Sequence, residues 1–285
     1  MRFEIAARTH ISSRGSPGTR ALYEADLDRW LAHCRAIGAD PDEPELANAV
    51  AFRDSLSQGA QTKRRILSAL SSMYEAAGIV NHFKSSKRLQ RPEADEVALT
   101  KEFSKDEVAQ LLRVASERDD HLGKRDVAIM RLLYDTGARI SAVVALRRDC
   151  MYNRPDGQRV VITKVKKKGR VEIEVPKLAA DAVDVWLSVA PDSPYVFPRA
   201  RGTGPLTRRA ISQRIADYGK LVGIQNAHPH RFRATFITEA IDAGVPLHEV
   251  QGAVHHADPK TTQRYDRHVR GAGVSNALAK YREGK

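Results

Sequence analysis

Arg139, His230, Arg233 and Tyr265 have the types and the order that chemistry at a phosphate would use. Opening a phosphodiester by nucleophilic substitution needs an attacking oxygen, positive charge on the non-bridging oxygens and a proton for the departing 5′ oxygen. Arg139 follows Gly137 near an expected helix start, where its guanidinium and nearby backbone N–H groups could hold a phosphate. His230 and Arg233 are three apart, so on a helix they project from one face and could converge on one anion. Asp258-Pro259 reads as an N-cap and first helical residue, launching a helix that carries Tyr265, with His256 just before its start. Singly these are weak signs: an arginine after a turn is ordinarily a surface group, HxxR pairs are common, and a lone helical tyrosine more often packs.

Together they are specific. Thr136-Gly137-Ala138-Arg139-Ile140-Ser141, Pro229-His230-Arg231-Phe232-Arg233, and His256 followed by Thr261-Thr262-Gln263-Arg264-Tyr265 occur in this order, about 90 and about 25 residues apart. This set resembles the signature boxes of the tyrosine recombinase (phage integrase) family, and the resemblance extends over essentially the full chain. It implies that Arg139 and Arg233 clamp the non-bridging oxygens, that His230 helps move the nucleophile's proton, and that His256 hydrogen-bonds a non-bridging oxygen and buttresses the site. Tyr265 would be the nucleophile; a phenol has an intrinsic pKa of about 10 and needs a base or strong local positive charge to attack well. The general acid for the 5′ oxygen would be a hairpin lysine. Lys164 is favoured, because Thr163-Lys164 resembles the family's frequent Thr-Lys pair; Lys166 and Lys168 are alternatives, and both are also candidate DNA contacts. Three positions depart from the pattern: Ala142 stands where Glu is frequent, Ala234 where a second His often follows the arginine, and His255 where Gly commonly precedes the His.

The elements that must position these groups read as follows. Ala21 to Ile37 is an amphipathic helix stopped by Gly38, after a Gly- and Ser-rich loop from Ser12 to Gly18. A second helix starts near Pro44 with Leu46, Val50 and Leu56 inward, and a third runs from Thr62 to Ala77 with Ile66, Leu70, Met73 and Ala77 on one face. The third opens on Lys63, Arg64 and Arg65, positive charge where the helix dipole disfavours it, which suits an anion such as DNA docking there as well as a solvated basic turn. Lys84 to Ala98 loses periodicity and reads as a linker. Beyond it, Ser104 and Glu107 form a capping box, a helix from Asp126 to Tyr134 ends at Gly137, and a short helix begins around Arg139. Val160 to Val165 and Val171 to Val175 flank Lys166 to Gly169 as a hairpin, and the rest is mainly helical. The expected fold is therefore mainly α with a small β-sheet in two domains. Residues 1–95 would hold a helical core DNA-binding (SAM-like) bundle plus linker, and 96–285 the catalytic domain.

Bulk properties agree. With 285 residues, 42% of them hydrophobic, the chain can bury a proper core, and its net charge of +12, spread along the sequence, suits a polyanionic partner. No apolar run is long enough for a membrane span and Met1 to His10 lacks a signal-peptide core, so a cytoplasmic protein is expected. The short N-terminal segment before the helical bundle favours a simple recombinase acting on short core sites, and a compact phage integrase is also compatible with it. Cys34 and Cys150 are too few for a disulfide framework and read as small core residues. His228, His230, His255, His256 and His268 lack any HExxH or carboxylate spacing, so no metal is expected. Nor is another cofactor: a phosphotyrosine bond conserves the energy of the cleaved phosphodiester, and religation needs neither ATP nor Mg²⁺. The implied partners are double-stranded DNA core sites and further copies of the chain, four on two sites, with accessory DNA-bending proteins as additional candidates and no membrane. A type IB topoisomerase-like nicking and closing enzyme, or a catalytically idle DNA-binding protein, are the alternative readings.

Overall fold

Ile66, Leu70, Met73 and Ala77 recur at helical spacing, and in the computed structural model they line the buried face of a helix over Ala60–Ala77. Residues 2–84, 89, 100–118, 120–165, 169–200 and 203–254 are described, with backbone alone at 163–165. His255, His256, Tyr265, Lys166, Lys168 and all of the expected linker except positions 84 and 89 lie outside the described residues. The chain divides into two units, Met1–Ala98 and Leu99–Lys285.

In the first unit three helices are expected, and the described residues form four: α1 (Arg2–Ser12), α2 (Pro17–Ile37), α3 (Leu46–Ser55) and α4 (Ala60–Ala77). The additional α1 buries Phe3, Ala7 and Ile11, and its first N–H groups are capped from afar, Arg2 and Phe3 donating to the Asp42 carboxylate at 2.7 and 2.6 Å. α2 starts before Ala21, because the Ser16 side chain accepts from the Thr19 N–H and Pro17 takes the first helical position. Of the residues expected inward here, Leu56 is buried and Val50 packs half-buried against the core, but α3 itself buries Ala49 and Phe52, which its spacing does not single out, and Leu46 is half-buried. The cause is an aromatic cluster. Trp30 packs edge-on against Phe52 and Phe83, Phe3 stacks on Tyr74 at 3.9 Å, and the Trp30 indole donates to the Tyr74 hydroxyl at 2.8 Å. Burial raises the Cys34 thiol to about 11.

The second unit opens with α5 (Lys105–Ser116), whose capping box is complete, Ser104 and Glu107 each accepting the other's N–H. α6 (His121–Thr136) begins at an Asp120 cap rather than at Asp126. Asp126 is instead an interior carboxylate, bound by Arg125 at 2.7 Å and by the Tyr218 hydroxyl at 2.7 Å. A short α7 (Ile140–Val144) and a 3-10 turn (Arg148–Cys150) lead into β1 (Met151–Asn153), β2 (Arg159–Val165) and β3 (Gly169–Val175). The described residues form one antiparallel sheet in that order, with Val161 opposite Ile173 and Lys164 opposite Arg170. β1 is not expected from its three residues. α8 (Lys177–Leu187), α9 (Arg208–Leu221), α10 (Pro229–Asp242) and α11 (Leu247–Val254) follow. The core gathers around α6, which packs on α5, α8 and α10. Cys34 is a core residue as expected, whereas Cys150 is half-buried. Among the described residues no helix is long and apolar enough to cross a membrane.

Candidate active site

Gly137 ends α6 in the left-handed conformation (φ 60°), and a Cβ there would lie 2.5 Å from the Phe236 ring of α10. Glycine thus lets the α6–α7 turn lie directly on α10. The next residues place Arg139 at the N-cap of α7, its own carbonyl accepting from the Ala142 N–H at 2.8 Å and its side chain reaching the surface.

α10 starts at Pro229 behind His228, with Pro229 filling the position where a backbone N–H has no helical partner. Its first turn presents His230 to the surface and buries Arg233. Arg233 donates to the Gly137 carbonyl at 2.6 Å and to the Val254 carbonyl at 2.5 Å. One guanidinium therefore joins the turn before Arg139, the helix bearing His230, and the residue from which the chain continues to His255 and His256. Those two bonds orient the group.

The pKa of His230 is lowered, first by the protein packed around a ring that still reaches solvent, then by Arg233, His228 and Arg139. Charges act on a pKa in this way from a few ångströms. Arg139, His230 and Arg233 are thus gathered in one place, and the imidazole is biased toward its neutral, proton-accepting form. His228 is lowered as well, by burial and by Arg231.

The other candidate residues fall elsewhere or outside. Lys164 lies in β2, and its side chain is not among the described ones. Ala142 lines a small apolar hollow together with Leu132, Val161 and Ile173, and a more open groove with Cys150, Ile162 and Arg170. Ala234 is fully buried among Ile237, Val250 and Val254, so the departure there fills the α10–α11 contact. In the first unit α4 begins at Ala60 rather than Thr62, so Lys63 and Arg64 are its fourth and fifth residues, while Arg65 is committed to an ion pair, its two terminal nitrogens 2.5 and 2.9 Å from the carboxylate of fully buried Asp26. Among the described residues no cluster of His, Cys, Asp or Glu fits a metal.

One residue escapes sequence reasoning. Arg231, between His230 and Arg233, is 5% exposed and bonded on all three of its nitrogens. The signal is present but faint: Arg231, Thr235 and Thr238 follow helical spacing on a buried face, and an arginine in such a row has to be an anchor.

Two arginines and a histidine biased toward its neutral form, on a helical scaffold with a small antiparallel sheet, suit an enzyme of phosphoryl transfer. The sequence profile of the phage integrase family matches residues 101–270. The tyrosine recombinase XerC of Pseudomonas syringae pv. syringae (strain B728a) is 34% identical over 263 residues, covering 88% of this chain and 85% of that protein. XerC of Pseudomonas fluorescens is 32% identical over the same shares. Among solved structures, the Tn1549 transposon integrase in complex with circular intermediate DNA superposes with a TM-score of 0.74 at 16% identity, over 98% of both chains. The XerH recombinase bound to difH substrate gives 0.69 at 15% identity, over 92% of this chain and 79% of that one. The chain belongs to the phage integrase family. It is accordingly a site-specific tyrosine recombinase, an enzyme that cleaves and rejoins DNA strands.

Proposed function

We propose that Tyr265 attacks a backbone phosphate of a duplex core site while Arg139 and Arg233 hold its non-bridging oxygens. The phenolic oxygen forms a bond to phosphorus and its proton passes to His230. The bond to the 5′ oxygen breaks, and Lys164 protonates that oxygen as it leaves. The product is a 3′-phosphotyrosyl link; the 5′-hydroxyl of a partner strand then attacks it, releases Tyr265 and completes the exchange through a Holliday junction. His256 hydrogen-bonds a non-bridging oxygen of that phosphate. The observation that carries this reading is the neutral-biased His230 beside Arg139 and Arg233.

In this reading residues 96–285 are the catalytic domain, and residues 1–95 are a core DNA-binding bundle that meets phosphates with Lys63 and Arg64. Lys166 and Lys168 are further backbone contacts. Most affinity comes from phosphate contacts and falls with salt. Four copies act on two sites in the cytoplasm, for integration, excision or resolution, with DNA-bending proteins as helpers.

A nicked core site, whose cleaved end diffuses away, tests the chemistry. The wild type accumulates a covalent complex and Tyr265→Phe yields none; equal trapping by the Phe variant would remove Tyr265 as the nucleophile. Lys164→Ala loses cleavage of ordinary DNA and regains it on DNA with a 5′-bridging phosphorothiolate, whose sulfur leaves without a proton. Full activity of that variant on ordinary DNA would move the role to Lys166 or Lys168.

A further inference from the structure

We propose that Arg231 is a positioning residue for cleavage: it fixes the first turn of α10, and so His230 and Arg233, against the segment that leads into α5. The inference rests on the reading of His230 and Arg233 given above.

The contacts are unusually complete. Nε donates to the Lys101 carbonyl at 3.0 Å, Nη1 to the Gln225 carbonyl at 2.9 Å, and Nη2 to the Glu102 carbonyl at 3.0 Å and the Glu107 carboxylate at 3.2 Å. The guanidinium carbon lies 3.9 Å from the centre of the Phe103 ring. Neighbours reinforce the same junction: the Phe103 N–H donates to the Thr235 hydroxyl at 2.8 Å, that hydroxyl donates to the Arg231 carbonyl at 2.9 Å, and Phe103 packs on Phe232 at 4.8 Å. Glu107 serves two partners, since the carboxylate that receives Arg231 also receives the Ser104 N–H of the α5 capping box.

Helix stability alone does not explain this arginine. A cation in the first turn works against the helix dipole, and a charge this buried is costly unless fully bonded. Its planar fork meets acceptors on both sides of the helix start: residues 101–107 on one, and on the other Gln225, next to Asn226, which holds a left-handed backbone (φ 52°). A turn of α10 about its axis would swing His230 and Arg233 away from Arg139, and it would break these bonds first. Lysine, with one nitrogen, cannot span the same acceptors.

Covalent trapping on a nicked core site, with full-length protein and saturating DNA, separates positioning from folding. The amplitude reports the fraction of active molecules, and the rate constant reports the geometry within them. Arg231→Lys and Arg231→Met are expected to lower the rate constant about tenfold or more, the scale of loss when reacting groups are misplaced by a fraction of an ångström. Arg231→Lys keeps most of the amplitude, and DNA affinity stays as in the wild type. Reduced amplitude with an unchanged rate constant would mean that Arg231 merely stabilises the fold, and would overturn the proposal. If Arg231→Met does not fold, Glu107→Gln keeps an acceptor for Ser104 while removing the charge opposite Arg231; slower cleavage supports the proposal and an unchanged rate constant overturns it. A wild type that forms no adduct would overturn the reading of Tyr265, and this inference with it.

Discussion

Basic residues stand near the N-terminal ends of two helices: Lys63-Arg64-Arg65 in α4, from its fourth residue on, and His230-Arg231-Phe232-Arg233 in α10, from its second. In α4 the buried partner is a carboxylate: Arg65 closes on Asp26, and the pair ties α4 to α2 with its charge cancelled. In α10 the described partners of Arg233 include the carbonyls of Gly137 and Val254, which fix its orientation. An arginine held by a carboxylate is a structural pin. Arg233 also lowers the pKa of His230, second to the burial of that ring.

The sharpest break of this contrast is Arg233→Gln. Cleavage in the trapping assay should fall about 10²–10³-fold, the usual loss on removing one preorganised charge donor, with DNA affinity little changed. The same variant takes a cation from His230. Because Arg233 lowers that pKa, its loss raises it, so the acid limb of the residual cleavage rate should move to higher pH. An unmoved limb would separate His230 from the proton transfer.

Arg65→Met tests the other half. It leaves the fully buried Asp26 with Arg29 at 3.2 Å as its remaining described ion-pair partner, and should cost roughly 3 kcal/mol in denaturant unfolding, with the cleavage rate constant of folded molecules preserved. A variant of wild-type stability with weakened DNA binding would instead place Arg65 among the phosphate contacts. The smallest effect is expected from Lys63→Ala: affinity falls a few-fold for any sequence, and the slope of log K against log salt shrinks by about 1. An unchanged slope would remove Lys63 from the DNA surface.

Much of the scaffold is legible in the chain because its signals are local. The Ser104 and Glu107 cap, the glycines after α2 and α6, the α4 stripe and the β-rich runs of β2 and β3 each depend on residues a few positions apart. What sequence reasoning misses depends on distant partners. α1 takes its cap from Asp42, about forty residues on, and the face that α3 buries is decided by Trp30 and Phe83 rather than by its own periodicity. Asp126 looks like a helix start until Arg125 and Tyr218 are seen around it. At the site, residue types and order single out Arg139, His230 and Arg233, whereas Arg231 looks like a spacer, because Lys101, Glu102 and Gln225 engage it only through their backbone carbonyls.

The two thiols give this protein a built-in attachment point for a probe. Thiolate is the form that maleimides capture, and Cys34, held at about 11 and buried in the core of the first unit, stays protonated and out of reach at neutral pH. Cys150 is half-buried at the edge of the groove shared by α7 and the hairpin. Brief labelling of the native sequence should therefore put one dye beside the elements bearing Arg139 and Lys164, without mutagenesis, where its emission can follow DNA arriving, being cut and leaving.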